Sequence, residues 1–201
     1  SGEFDDIINR CDALLTELAG IPDNYKILYV HGGAQMQFSA VPLNLINREA
    51  ANKASFVLTG NWAVKASKEA ARYGTSINLA SSEDRNFSYI PDYDIGLLDP
   101  NSSYLHITSN NTLFGTRWHS FPETGDVPLV ADMTSEFLSR KLDINQFGLI
   151  FAGLQKNLGP AGLALVIIRE DLLDYALSAT PGLLNYQVYA EQHSLANTTN
   201  T

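Results

Sequence analysis

Cysteine is nearly absent from this 201-residue chain. Cys11 stands alone, which excludes an internal disulfide framework and fits a reducing compartment. Positive charge is also scarce: Lys and Arg number 13 against 22 Asp and Glu, a formal net charge of −9. Nucleic acids and anionic membranes are bound through faces dense in Lys and Arg, so neither is expected as the main partner. A local positive site for a small phosphate stays open. No apolar run approaches the roughly 18 residues of a membrane-spanning helix. The opening Ser1-Gly-Glu-Phe-Asp-Asp6 lacks the basic and apolar regions of a signal peptide. The expectation is a cytoplasmic protein. Repeats and low-complexity segments are missing too, and no His/Cys/Asp/Glu group has the spacing of metal ligands.

What is present suffices for one core, with 45% hydrophobic and 17% charged residues. Phe4, Ile7, Ile8, Cys11, Leu14, Leu15 and Leu18 recur at helical spacing until Gly20 and Pro22, which predicts a helix packed by one apolar face. Lys26–Val30 reads as a buried strand, followed by the His31-Gly-Gly turn and an apolar helical run from Phe38 to about Ile46. Ser55–Thr59 is a strand, Gly60-Asn-Trp62 opens a helix to about Arg72, and Ser76–Ala80 is a further strand. Polar residues 81–103, interrupted by Pro91 and Pro100, read as loop with one short helix. Tyr104–Thr108, Val127–Asp132, Phe147–Phe151 and Leu163–Ile168 complete the strands. Alternating strands and helices predict an α/β, three-layer fold with a mostly parallel sheet. Ligands of such sheets sit at the carboxyl ends of strands, where Asp132, Lys156, Thr112 and the Gly32-Gly33 turn all fall.

Lys156 lies between two short β-branched runs, and Gly153, Gly159, Pro160 and Gly162 make their connection a tight turn. A lysine held there is expected to be partly desolvated, which makes its neutral amine more available to an aldehyde. Strand, glycine turn and helix at His31-Gly-Gly would aim free N–H groups and a helix dipole at an anion. A lysine, an aspartate, a phosphate-binding helix start and an aromatic ring are what pyridoxal phosphate requires. Trp62 is the candidate ring, with a place in the core as the alternative. Asp132 is the candidate carboxylate, with a helix cap for Thr134–Leu138 as the alternative. His31 and His106 read as packed side chains rather than catalysts.

These residues carry a resemblance. The blocks His31-Gly-Gly, Gln37-Phe-Ser-Ala-Val-Pro-Leu-Asn44, Gly60-Asn-Trp62 and His106-Ile-Thr-Ser-Asn-Asn-Thr112 are similar to those of the phosphoserine aminotransferases, fold-type I enzymes of class V. So, with greater specificity, are Ala131-Asp-Met-Thr-Ser-Glu-Phe-Leu-Ser-Arg140 and Phe147 to Leu163. The resemblance spans nearly the whole chain. It implies the aspartate aminotransferase-like fold, pyridoxal 5'-phosphate as cofactor, and transfer of the amino group of glutamate to 3-phosphohydroxypyruvate. Lys156 would hold the cofactor as a Schiff base and move the substrate proton, Asp132 would pair with the ring nitrogen, and Trp62 would stack on the ring. Ala34, Gln35 and Gln155 would reach the phosphate, and Thr112 would place a hydroxyl beside the ring. Some relatives carry Gly-Arg where this chain has Ala34-Gln35, which removes a cation from the phosphate site and leaves backbone contacts.

The resemblance also implies that residues 1–201 are the cofactor-binding large domain, without the extreme N-terminal segment and the C-terminal small domain. Two substrate arginines belong to those parts, so the piece is expected to be inactive by itself. The family is expected to form a homodimer with shared active sites, an Asn-Thr pair reaching the partner's phosphate. That pair falls at Asn197-Thr198 by equal length, or at Asn200-Thr201 with a three-residue insertion. Two other functions stay open: a different fold-type I aminotransferase or lyase, and a non-catalytic module for cofactor binding or dimerisation.

Overall fold

The computed structural model describes residues 2–195, so Asn197, Thr198, Asn200 and Thr201 lie outside the described residues. In chain order the elements are α1 (Gly2–Ala19), β1 (Tyr25–His31), α2 (Gly33–Leu45), β2 (Lys53–Leu58), α3 (Asn61–Ala70), β3 (Thr75–Ser81), β4 (Leu105–Thr108), β5 (Asn110–Asn111), β6 (Thr116–Arg117), β7 (Leu129–Asp132), β8 (Leu149–Gly153), β9 (Leu163–Arg169) and α4 (Tyr186–Glu191). Seven strands form one sheet in the order β1-β9-β8-β7-β4-β2-β3. From β3 to β8 every neighbouring pair is parallel, whereas β9 runs antiparallel to both β8 and β1. β8 and β9 are joined by the lysine turn, short enough to reverse the chain without a crossover helix. The expected α/β architecture with a mostly parallel sheet holds.

Both faces of the sheet are covered, which explains why its strands read as continuous apolar runs. Side chains alternate between two cores. Tyr104, Val130, Leu149, Phe151, Val166 and Ile168 meet α2, α3 and α4 on one face. Leu105, Ile107, Leu129, Ala131, Ile150, Leu165 and Ile167 point to the other, covered mainly by residues of the irregular segments between β3 and β8. There Tyr25 ties the sheet edge to the loop before β8, its hydroxyl donating to Phe147 O at 2.6 Å.

Three expectations need correction. The apolar stripe of α1 is not packed along its length: Ile7, Leu14 and Leu18 are exposed, Ile8 is the buried one, and Leu15 and Ala19 touch the sheet-side core. The sequence pattern records that a helix has one apolar face, not that a surface of this chain covers it. The polar run Ser109–Thr112, which by sequence reads as a turn, instead enters a small antiparallel hairpin of β5 and β6. The 81–103 loop holds two short 3-10 turns, Glu83–Arg85 and Ile95–Leu97.

His106 is a core residue, as its strand position implied. Its ring lies 5.3 Å from that of Phe56 and 6.1 Å from that of Phe151. Burial pulls its pKa down to about 3, so it stays neutral beneath the sheet's C-terminal edge. Phe151 packs on His106 and also edge-on against Phe38 of α2, 6.2 Å away. Phe151→Ala should therefore cost about 3–5 kcal/mol of stability, read as a lower denaturant midpoint with an unchanged m-value.

Candidate active site

The strand register builds the site. Thr108, Asp132 and Phe151 are partners across β4, β7 and β8, so β4 and β7 end side by side while β8 runs two residues further, to Gly153. The apolar rows His106 to Thr108, Val130 to Asp132 and Phe151 to Gly153 step outward two residues at a time on the helix side. At that edge they end on a hydroxyl, a carboxylate and a bare backbone. β1 is parallel to β8 through its antiparallel pairing with β9, so His31 and the start of α2 arrive at the same edge. β2 delivers Gly60 and α3 there as well.

A cavity of about 540 Å³ opens at this edge, in the size range of small-molecule sites. Ala34, Gln35, Trp62, Thr112, Asp132, Gln155 and Lys156 all line it, from five separate stretches of chain. Asn197 and Thr198 alone among the predicted site residues lie outside the described residues. The wall also holds Phe38, Thr108, Asn110, Leu113, Thr134 and Ser135, which sequence reasoning did not single out. Thr134, Ser135, Thr108 and Asn110 stood inside the quoted sequence blocks. Their role as wall residues follows from register, which no local pattern displays.

Asp132 is 5% exposed. Its Oδ1 accepts the Thr134 N–H at 3.0 Å and the Thr134 hydroxyl at 2.6 Å. Burial raises its pKa to about 6, and the two Thr134 bonds act in the opposite direction. No helix follows it: residues 134–138 form turns, so the bonds to Thr134 close a local turn rather than cap a helix. Trp62 is 46% exposed, against a core position, with the Lys65 Nζ 4.5 Å from its ring centroid. Lys156 corrects a further expectation. It is exposed on the cavity wall rather than desolvated, because its turn projects beyond the strand ends.

The end of the cavity at the start of α2 is built from backbone. Gly32 and Gly33 both have positive φ, 89° and 63°, and donate their N–H groups to Gly162 O. The next N–H groups of α2 have no intrahelical partner, and no acidic residue occupies its first turn. Gly153 must be bare here: a Cβ would meet the Ala34 Cβ at 3.0 Å and its N at 3.2 Å. The arrangement fits pyridoxal phosphate. A buried carboxylate with one oxygen unpartnered among the described residues suits a ring nitrogen, an exposed indole suits a ring face, and a helix start suits a phosphate. The Thr108 hydroxyl, buried in the wall without a partner among the described residues, adds a polar atom that a ligand could satisfy.

An amine, a carboxylate and a helix start around one cavity at the carboxyl edge of a parallel sheet belong to the aminotransferase class of folds, and the chain belongs to the class-V aminotransferase family, which it matches over residues 1–200. Within that family it is similar to phosphoserine aminotransferases. That of Lysinibacillus sphaericus is 48% identical over 198 residues, 98% of this chain and 54% of that protein. A structure of a phosphoserine aminotransferase studied for radiation damage to its Schiff base superposes with a TM-score of 0.94 at 43% identity, covering 100% of this chain and 55% of that one. The pyridoxal-phosphate-bound enzyme from Trichomonas vaginalis gives 0.91 at 31%, covering 100% and 59%. The chain thus spans about half the length of the curated relatives it matches. No described helix is long and apolar enough to cross a membrane.

The raised pKa of Asp132 makes a prediction with a definite sign. A folded pKa of about 6 exceeds the unfolded value of 3.8, so the folded chain binds the extra proton between them. That contribution is fully present below about pH 4 and is lost as pH rises through 6, on the order of 2–3 kcal/mol in all. Asp132→Asn removes this dependence. Denaturant unfolding should find variant and parent alike at pH 4 and the variant more stable at pH 7.

Proposed function

We propose that residues 1–201 are the cofactor-binding large domain of a phosphoserine aminotransferase. The whole enzyme transfers the amino group of glutamate to 3-phosphohydroxypyruvate, giving phosphoserine and 2-oxoglutarate in serine biosynthesis, and residues 1–201 alone do not turn over. The observation that carries this reading is the convergence of Lys156, Asp132, Trp62 and the α2 start on one cavity. Pyridoxal 5'-phosphate, when bound, supplies an electron-accepting ring that stabilises negative charge at the substrate Cα.

The protein's own residues do the rest. Lys156 would hold the cofactor through its amine, and the same amine would take and return the proton at the substrate Cα. Its exposure at the mouth leaves the amine accessible to an arriving aldehyde. Asp132 offers its unpartnered oxygen to the ring nitrogen, and a cation there draws the carboxylate back to its ionised form. Trp62 lies against the ring face and limits water. Backbone N–H groups of Ala34 and Gln35, with the Gln155 side chain, take the phosphate, while Thr112 places a hydroxyl beside the ring. By resemblance Asn197 and Thr198 reach the partner's phosphate in a homodimer with shared sites. The exposed apolar side chains of Leu113 and Trp62 at the mouth support a surface that a second copy covers. A cytoplasmic location is in keeping with the single free cysteine.

Pyridoxal phosphate added to the protein should give an absorbance band at roughly 410–430 nm, and borohydride should then fix a pyridoxyl group on Lys156. Peptide mapping that finds the label on Lys65 or Lys68 instead would refute the assignment. In the full-length enzyme Asp132→Asn should lower turnover on the order of 10²-fold or more with KM much less affected. Sedimentation of the purified chain should show a dimer, and a clean monomer would remove the assembly claim.

A further inference from the structure

Thr134 has two hydrogen bonds through one oxygen, and their directions are decided by chemistry alone. The Gly153 N–H can only donate, and it donates to Thr134 Oγ1 at 3.1 Å. The hydroxyl proton is left for the 2.6 Å contact with Asp132 Oδ1. Oδ1 is therefore committed as an acceptor, twice over, since the Thr134 N–H also points at it from 3.0 Å. We infer that Thr134 is a positioning residue that sorts the two carboxylate oxygens of Asp132, leaving Oδ2 alone to exchange a proton at the cavity, and that it ties this carboxylate to the end of the strand that leads into Lys156. Gly153 is the common node. It ends β8 three residues before Lys156, and a side chain there would run into Ala34 at the start of α2. One hydroxyl thus sets the carboxylate relative to both the amine and the α2 end of the cavity.

The inference rests on the proposed roles of Asp132 and Lys156, and its test has an arm that needs no cofactor. The Asp132 carboxyl titration can be followed by carbon NMR in the cofactor-free chain, the signal assigned by its loss in Asp132→Asn. The other titratable groups around it are Lys156 on the same cavity wall, His106 of β4 opposite Val130, and buried Glu136 in the following turn, all retained in every variant. Thr134→Val removes the hydroxyl donor and keeps the backbone one, so the midpoint should rise by on the order of one pH unit. Thr134→Ser should restore the parent value. A midpoint unmoved in Thr134→Val, or not restored by serine, would overturn the inference. The second arm compares pyridoxal 5'-phosphate with an analogue carrying CH in place of the ring nitrogen. Thr134→Val should weaken the first roughly tenfold and the second hardly at all, whereas equal weakening of both would show a merely structural role. If valine prevents folding, as circular dichroism would report, Thr134→Ala against Thr134→Ser makes the same comparison. A parent chain that binds neither compound defeats the proposed function, while the titration still decides the role of Thr134.

Discussion

The buried carboxylate of Asp132 sits where the apolar row of β7 runs out, and the rest of the site is arranged around the cost of keeping it there. An ionised group at 5% exposure is expensive unless it is hydrogen-bonded or paired. Thr134 meets part of that cost at one oxygen, and the residue itself lines the cavity. What remains unmet is a demand for a cation or a proton. A fold that leaves such a demand at a cavity has in effect specified the chemistry of its ligand.

Sheet geometry is what allows several such groups to meet. Neighbouring parallel strands put all their carboxyl ends on one edge, and the two-residue alternation keeps each row on its own face. Thr108, Asp132 and Gly153 continue rows that are otherwise core, so the cavity is an extension of the helix-side core into polar residues. The single antiparallel strand, β9, serves the same end. By returning directly from β8 it confines the lysine to a short turn, with Gly162 accepting the N–H groups that shape the start of α2.

Much of this was visible in the residues themselves. The strands were readable because burial on both faces makes them continuous apolar runs, and glycine punctuation marked the turns. Lys156, Asp132 and Trp62 stood out because each was a chemically unusual residue at an element's end. Thr108 and Thr134 did not stand out, since a threonine at a strand end is unremarkable until its neighbours across the sheet are known. α1 misled for the complementary reason: an amphipathic pattern reports one apolar face and says nothing about what, if anything, covers it.

By itself, then, the sequence determined the class of fold, the strand ends and the kind of chemistry, because periodicity, glycine placement and residue type are local properties. Tertiary structure alone decided which ends became neighbours and which oxygen of Asp132 is engaged by Thr134. It also decided that Lys156 stands exposed and that Trp62 lies at a wall instead of in the core. Those outcomes depend on strand register and on the packing of α2 and α3 over the sheet, contacts between residues far apart in the chain. Register and packing are settled by the whole core together, and so no single segment carries a record of them.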